Sequence, residues 1–403
     1  MKVLQINVTA NWGSTGRIVE GIANEVIACG GDSYIMYGRY ASESNSKVYR
    51  IGTNVNVYMH LLQTRLFDRH GLSSKKPTLK LIDFIKEISP DIIHLHNIHG
   101  YYVNYSLLFR FLKEIDTPVV WTLHDCWAFT GHCSHYSYNS CYRWQILCHD
   151  CPQKREYPSS FLMDRSRRNF IDKQKAFTSK ENLTLVTVSE WLSKEVKQSF
   201  MKKYPIKVIH NGIDTNVFTP VEVKKKNLGI EDKFMLLGVA SVWSLHKGLD
   251  DFIRLRKVLS DEYIIVLIGL NDRQIRNLPK GIIGIKRTNS VHELSVYYSV
   301  ADVYINTSVE ETFGLTTVEA MACGTPSIVY DSTACPEVVS ADTGFVINKG
   351  DLSSLCSTLE LIKKKGKHIY SNACRNRATS FYNKSDLYRK YIDLYKELLP
   401  SKF

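Results

Sequence analysis

Short apolar runs recur along the first half of the chain, at 2–8, 33–38, 91–96, 118–124, 183–189 and 206–210. Between most of them, apolar residues fall at helical spacing, as in Arg17–Cys29 through Ile18, Ile22, Val26 and Ile27. The runs predict strands and the segments between predict amphipathic helices. Buried strands that alternate with helices predict a parallel sheet covered on both faces. Residues 213–233, with Pro220, the triplet Lys224–Lys226 and few apolar positions, read as a linker. Beyond it the rhythm restarts, with strands expected at 234–241, 263–270, 281–286, 302–308, 326–330 and 344–347. The expected fold class is therefore α/β, two doubly wound, Rossmann-like domains (1–212 and 234–380) facing across a cleft. The segment 381–403 places Tyr388, Tyr391, Ile392 and Tyr395 on one helical stripe, expected to pack back on the N-terminal domain.

Doubly wound sheets bind ligands beyond the carboxyl ends of their strands. His94–Tyr102, Thr122–Asp125, Val188–Trp191 and His210–Asp214 fall there in the first half, as does the loop Thr9–Gly16 after the first strand. Its Gly13 and Gly16 let backbone N–H groups approach a phosphate, although Gly-x-x-Gly is not the dinucleotide fingerprint and fits a plain turn equally. In the second half the segment Glu310–Pro326, EETFGLTTVEAMACGTP, follows a strand and reads as turn, then helix. Gly314 opens that helix, and Leu315, Val318, Met321 and Ala322 form its apolar face. Unpaired N–H groups at Leu315 and Thr316 suit an anion, while Glu311 and Glu319 on either side suit hydroxyls. A ligand with both phosphate and sugar satisfies both. A surface helix favoured by an acidic first turn, worth ~0.3–1 kcal/mol, fits the same residues.

With 403 residues, 44% hydrophobic and 23% charged, the composition is that of a globular protein of about two domains. No apolar run approaches the ~18 residues of a membrane span, and the N-terminus lacks the pattern of a signal peptide, so a cytoplasmic location is expected. The net charge of +12 implies an anionic partner. The basic residues are scattered in pairs and triplets, such as Lys75-Lys76, Arg167-Arg168 and Lys363–Lys365. A diffuse basic surface suits the inner face of an anionic membrane or acidic substrates better than nucleic acid.

Four of the ten cysteines, Cys133, Cys141, Cys148 and Cys151, lie within nineteen residues of the insertion 126–160. Cys148-x-x-Cys151 is a spacing used for tetrahedral zinc, and the other two could complete a structural site; His132, His135 and His149 are possible substitutes. Free or redox-sensitive thiols are the alternative.

Several motifs resemble the retaining glycosyltransferases of family 4, which have the two-domain GT-B fold. They are Glu311-x7-Glu319 with its FG, AMACGTP at Ala320–Pro326, PEVV at Pro336, TGFVI at Thr343, HKG at His246–Gly248 and VIHNGID at Val208–Asp214. The block HDCWAFTGHC…C…CHDCP is similar to that of a subgroup building bacterial capsule, exopolysaccharide or O-antigen chains. The resemblance implies a nucleoside-diphosphate sugar donor and a polyprenyl-diphosphate-linked or other glycan acceptor, with no catalytic metal. It implies that Glu319 holds the ribose and that Glu311 binds donor-sugar hydroxyls beside the reacting carbon. It places the diphosphate on Leu315, Thr316 and Lys247, next to Phe313 and Gly314, with the backbone around Gly16 assisting. It gives His124 to donor sugar and acceptor, with Trp12, His99 and Asp125 on the acceptor side. One departure is Val242, where the family commonly has arginine. His246, Lys286 or Arg287 could supply the missing charge, a contact worth ~1.5–3 kcal/mol.

Two other readings compete. Paired glutamates are also the signature of a glycoside hydrolase, and a cysteine cluster on a basic chain could staple a nucleic-acid-binding protein.

Overall fold

Seven strands of the first half pair in parallel: β1 (Lys2–Ala10), β2 (Asp32–Ala41), β3 (Lys47–Arg50), β4 (Ile92–Leu95), β5 (Val119–Leu123), β6 (Leu183–Thr187) and β7 (Ile206–Val208). Their order is β3-β2-β1-β4-β5-β6-β7. β5 (VVWTL) and β6 (LTLVT) are buried at every residue, which is why they read as unbroken apolar runs. β3 (KVYR) was not among the expected strands. It is an edge strand exposed throughout, with a cation at each end, and carries no apolar run to reveal it.

This computed structural model describes residues 1–230 and 232–400, and its compact units divide at His210/Asn211 and at Lys384/Ser385. The first unit holds the seven-stranded sheet and the chain from Ser385 on. The second holds β8 (Phe234–Val239), β9 (Tyr263–Ile268), β10 (Ile282–Ile285), β11 (Val303–Asn306), β12 (Ser327–Tyr330) and β13 (Gly344–Ile347), in the order β10-β9-β8-β11-β12-β13. All of its pairings are parallel as well. In each sheet the order reverses once, at β1/β4 and at β8/β11, and such switch points open a crevice at the carboxyl ends of the strands.

Residues expected to form a linker are strapped onto the second unit. Arg375 donates to the carbonyls of Phe218 (2.7 Å), Ala322 (3.0 Å) and Thr215 (2.9 Å), and Ile213 pairs with the backbone of Tyr382 and Lys384. The helical C-terminus is two helices. His368–Phe381 belongs to the second unit, and Lys384–Leu398 lies almost wholly in the first. The latter buries Leu387, Tyr388, Tyr391, Ile392, Leu394 and Tyr395 among Val3, Ile18, Ile22, Ile92 and Val120. Gly21 makes this approach possible, because a Cβ there would stand 2.1 Å from Cε2 of Tyr388. No helix among the described residues is long and apolar enough to cross a membrane.

Candidate functional site

In the second unit the switch point is built from the ends of β8 and β11. After β8 the chain makes a 3₁₀ turn, Leu245–Lys247, and Gly248 follows with φ +73. A Cβ at Gly248 would meet Oγ1 of Thr307 at 2.4 Å, so glycine lets the Lys247 turn sit on the end of β11. Thr307 Oγ1 holds it there, donating to the carbonyl of Lys247 (3.0 Å). Lys247 Nζ is paired with Glu311 Oε1, which also accepts from Ser308 Oγ (3.2 Å). Thr333 Oγ1 accepts from the Glu311 N–H (2.9 Å) and fixes its backbone.

The helix Leu315–Ala322 begins four residues beyond Glu311. Gly314 supplies its N-cap in a left-handed conformation (φ +99), and no side chain caps it, so the N–H groups of Leu315 and Thr316 are presented to a ligand or to water. The expected apolar face is wider than its spacing suggested: Thr317, Val318, Ala320, Met321 and Ala322 are buried, whereas Leu315 is half-exposed. Polar bonds tie the helix start to the strand. Tyr304 donates to Thr316 Oγ1 (2.7 Å), Asn306 Nδ2 to Thr317 Oγ1 (3.2 Å), and Asn306 Oδ1 accepts from the N–H of Ser308 (3.0 Å). Tyr298 donates to Glu319 Oε2 (2.9 Å). Phe313 is buried with its ring 5.6 Å from that of Tyr382.

Val242 is 69% exposed. Lys286, one candidate replacement for the missing arginine, follows the edge strand β10 and pairs with Asp272 at 2.5 Å. His246 is adjacent to Lys247, and its Nδ1 stands 3.1 Å from Glu310 Oε2 without aligning as a hydrogen bond. The structure thus brings Lys247, His246, Glu311 and the helix start to one switch point and leaves Lys286 at the sheet's edge.

In the first unit the expected residues gather at the corresponding ends of β1, β4 and β5. Gly16 packs under the end of β1: its carbonyl accepts from the Asn11 N–H (3.2 Å), and a Cβ would lie 2.7 Å from Thr9 Oγ1. Trp12 is 49% exposed and lies against Tyr40, with centroids 4.7 Å apart. His124 lines a cavity of ≈ 10 Å³ with His96, His99, Asp125 and Trp127. Burial pushes its imidazole down to about 4; Asp125 opposes that shift without reversing it. Asp125 is buried too, which favours protonation, but His99 and the Trp127 N–H outweigh burial and hold the carboxyl at about 2. His99 Nε2 is 2.9 Å from Asp125 Oδ2, turned off the line of a hydrogen bond, and Asp125 Oδ1 accepts the Trp127 N–H at 2.9 Å.

Three participants were not singled out from the sequence as a connected set: Gln5, His96 and Tyr395. His94 and His96 alternate with Leu95, which puts both rings on one face of the sheet with centroids 3.9 Å apart. That period of two in a buried strand was the available signal. Their partners lie far off in the chain, Gln5 Oε1 on His96 Nε2 (3.0 Å) and Tyr395 on His94 Nδ1 (2.6 Å).

Cys133, Cys141, Cys148 and Cys151 all line a second cavity of ≈ 10 Å³, beside His132, Tyr136 and Trp144. The Gly131 N–H donates to Cys148 Sγ at 3.1 Å. Among the described residues no three His, Cys, Asp or Glu side chains are arranged to hold a metal ion. His132 is engaged elsewhere, on Asp68 at 2.7 Å.

Two parallel doubly wound sheets, one of them carrying a lysine–glutamate pair beside an uncapped helix start, define the GT-B class of glycosyltransferase. The chain belongs to glycosyltransferase family 4: the model of "Glycosyltransferase Family 4" matches residues 15–217, and that of "Glycosyl transferases group 1" matches residues 233–363. A protein of Escherichia coli (strain K12), assigned provisionally to colanic acid biosynthesis as the glycosyl transferase WcaC, is 22% identical over 99% of this chain and 100% of its own. The N,N'-diacetylbacillosaminyl-diphospho-undecaprenol alpha-1,3-N-acetylgalactosaminyltransferase of Campylobacter jejuni is 27% identical over 54% of this chain and 61% of its own. Among solved structures, Anabaena HepE in complex with UDP shares the fold with a TM-score of 0.67 at 15% identity, over 98% of this chain and 100% of the other. The protein is a glycosyltransferase, and neither the hydrolase nor the nucleic-acid reading stands beside that membership.

Proposed function

We propose that the chain is a retaining transferase that moves a sugar from a nucleoside-diphosphate donor to a polyprenyl-diphosphate-linked glycan in bacterial surface-polysaccharide synthesis. The observation that carries the donor side is the Lys247–Glu311 pair at the β8/β11 switch point, beside the N–H groups of Leu315 and Thr316. Departure of a nucleoside diphosphate builds negative charge on its leaving oxygen. An ammonium and the positive end of a helix stabilise that charge as it develops. Glu319, oriented by Tyr298, accepts from the ribose hydroxyls, and Glu311 accepts from the donor sugar. The leaving phosphate takes the acceptor proton on the same face. In the first unit His124 contacts the sugar, and Trp12, His99 and Asp125 shape the acceptor side.

The UDP bound by HepE supports a nucleotide donor, and the diphospho-undecaprenol in the name of the Campylobacter enzyme supports a lipid-linked acceptor. The net charge of +12 suits work at the cytoplasmic face of an anionic membrane. Calorimetric titration with UDP, GDP and their sugars tests the reading. Lys247→Ala and Glu319→Ala should weaken nucleotide binding by ~1.5–3 kcal/mol, whereas Glu311→Ala and His124→Ala should chiefly lower kcat. Nucleotide affinity unchanged in both Lys247→Ala and Glu319→Ala would show the donor lies elsewhere.

A further inference from the structure

A buried chain of hydrogen bonds in the first unit has its direction fixed at one end. Gln5, fully buried on β1, donates from Nε2 to the carbonyl of Val19 at 3.0 Å. A carbonyl oxygen accepts only, so the amide cannot be flipped, and Gln5 Oε1 is the atom that faces His96 Nε2 at 3.0 Å. His96 Nε2 must therefore carry a hydrogen. His96 is 1% exposed, and burial holds its imidazole well below the usual range, with His94 and His124 adding to the effect. A neutral ring has one N–H, so Nδ1 of His96 keeps its lone pair. That lone pair lies 3.1 Å from Nε2 of His124, which must donate in turn. His124 is itself neutral above pH about 4, so its single hydrogen is spent on His96.

We propose that Gln5 and His96 are positioning residues that lock His124 as the Nε2–H tautomer, so that Nδ1 of His124 meets its substrate as a hydrogen-bond acceptor. This rests on the reading above that His124 contacts the sugar. Whatever group meets Nδ1 has to bring the hydrogen: a sugar or acceptor hydroxyl does, and a carbonyl or phosphate oxygen does not. The tautomer also bears on catalysis. A histidine held neutral with its only N–H turned inward can orient a hydroxyl through its lone pair but cannot act as a general acid at neutral pH.

The test is two-dimensional ¹H–¹⁵N correlation on the full chain labelled with ¹⁵N-histidine at pH 7.5, with His96→Asn and His124→Ala used for assignment. The expected result is Nε2–H and an unprotonated Nδ1 for both rings. Gln5→Leu removes the acceptor at the origin of the chain and should leave His124 a mixture of tautomers. Its kcat should drop about tenfold, the loss of one neutral hydrogen bond, with the KM for nucleotide sugar unchanged. Gln5→Glu loses the donor to Val19 and sets a carboxylate against His96; that charge favours a second proton on His96, whose Nδ1 would then donate, so His124 should turn to the Nδ1–H tautomer with kcat low, a reversal that a merely structural role for Gln5 would not produce. A hydrogen on Nδ1 of His124 in the parent overturns the proposal whatever the activity. The stated tautomer together with an unaltered kcat in His124→Ala instead overturns the placement of His124 at the substrate.

Discussion

Tyr395 and His94 are hydrogen-bonded at 2.6 Å although 301 positions separate them in the chain. The other nitrogen of His94 lies 2.8 Å from Thr122 Oγ1, which donates to the hydroxyl of Tyr391 at 3.3 Å. Two tyrosines of the last helix thus reach the polar centre of the first sheet, and the helix is part of that unit's core. Tyr395→Phe keeps the ring and deletes the hydroxyl, leaving Nδ1 of His94 without its partner where water does not reach. The expected cost is ~1–3 kcal/mol, read as a lower denaturant midpoint for the first unit with an unchanged m-value.

Acid should loosen the first unit before the second. Burial depresses His60 to about 3 and His124 to about 4, and holds His70, His94 and His96 well below their ordinary range. A histidine whose folded value is depressed contributes stability above its unfolded value near ~6.5 and loses it as pH falls toward the folded one. His132 runs the other way, because burial lowers it but Asp68 outweighs burial. All of these residues lie in the first unit. Stability measured from pH 7.5 to 5 should therefore fall, with a slope of several bound protons below pH ~6.5. A flat profile would show that these imidazoles titrate normally.

The alternation of apolar runs and helices made both sheets legible, because buried parallel strands cannot hide their composition. It did not reveal β3, whose residues are all exposed, nor the placement of 213–221, which depends on Arg375 bonding to the carbonyls of Thr215 and Phe218 far away in sequence. Lys247 and Glu311 could be singled out because they sit in short contiguous motifs, and the fold brings the two into contact. Gln5 and Tyr395 were not: a lone glutamine in a strand and a tyrosine in a helix acquire meaning only from what the topology sets opposite them. The four cysteines were legible as neighbours around one cavity, whereas the arrangement of their thiols was not.

Gly21→Ala separates helix propensity from packing. Alanine in mid-helix should stabilise by ~1 kcal/mol, yet its Cβ would stand 2.1 Å from Cε2 of Tyr388, a ring only 4% exposed. Overpacking of a ring that cannot swing out costs ~1–3 kcal/mol, so the net effect should be destabilising. In the background of Tyr388→Leu, which frees the space, the same alanine should stabilise, and the two melting curves compared as a cycle read the sign change.

Tyr298 orients Glu319 through one hydrogen bond of 2.9 Å. Tyr298→Phe should leave the carboxylate in place but without this hydrogen bond. Nucleotide affinity should weaken by ~0.5–1.5 kcal/mol, a few-fold to tenfold in Kd, while kcat at saturating donor stays near that of the parent. An equal drop in kcat would instead mean that Glu319 acts at the reacting carbon.

The cysteine block should be chemically uneven. The hydrogen bond from Cys133, against the opposing effect of burial and with help from His132, brings Cys151 down to about 7. Burial raises Cys148 to about 12, and the bond to Cys151 together with burial holds Cys133 well above the ordinary thiol range. Since the thiolate is the nucleophile, iodoacetamide at pH 7.5 should modify Cys151 well before Cys148 and Cys133, as read by peptide mass spectrometry over a time course. Repeating the course after incubation with Zn²⁺ tests the structural-zinc expectation directly: equal protection of Cys133, Cys141, Cys148 and Cys151 requires that they close on one ion. Labelling that keeps its order and rate with Zn²⁺ present would leave the block as free thiols with one reactive member.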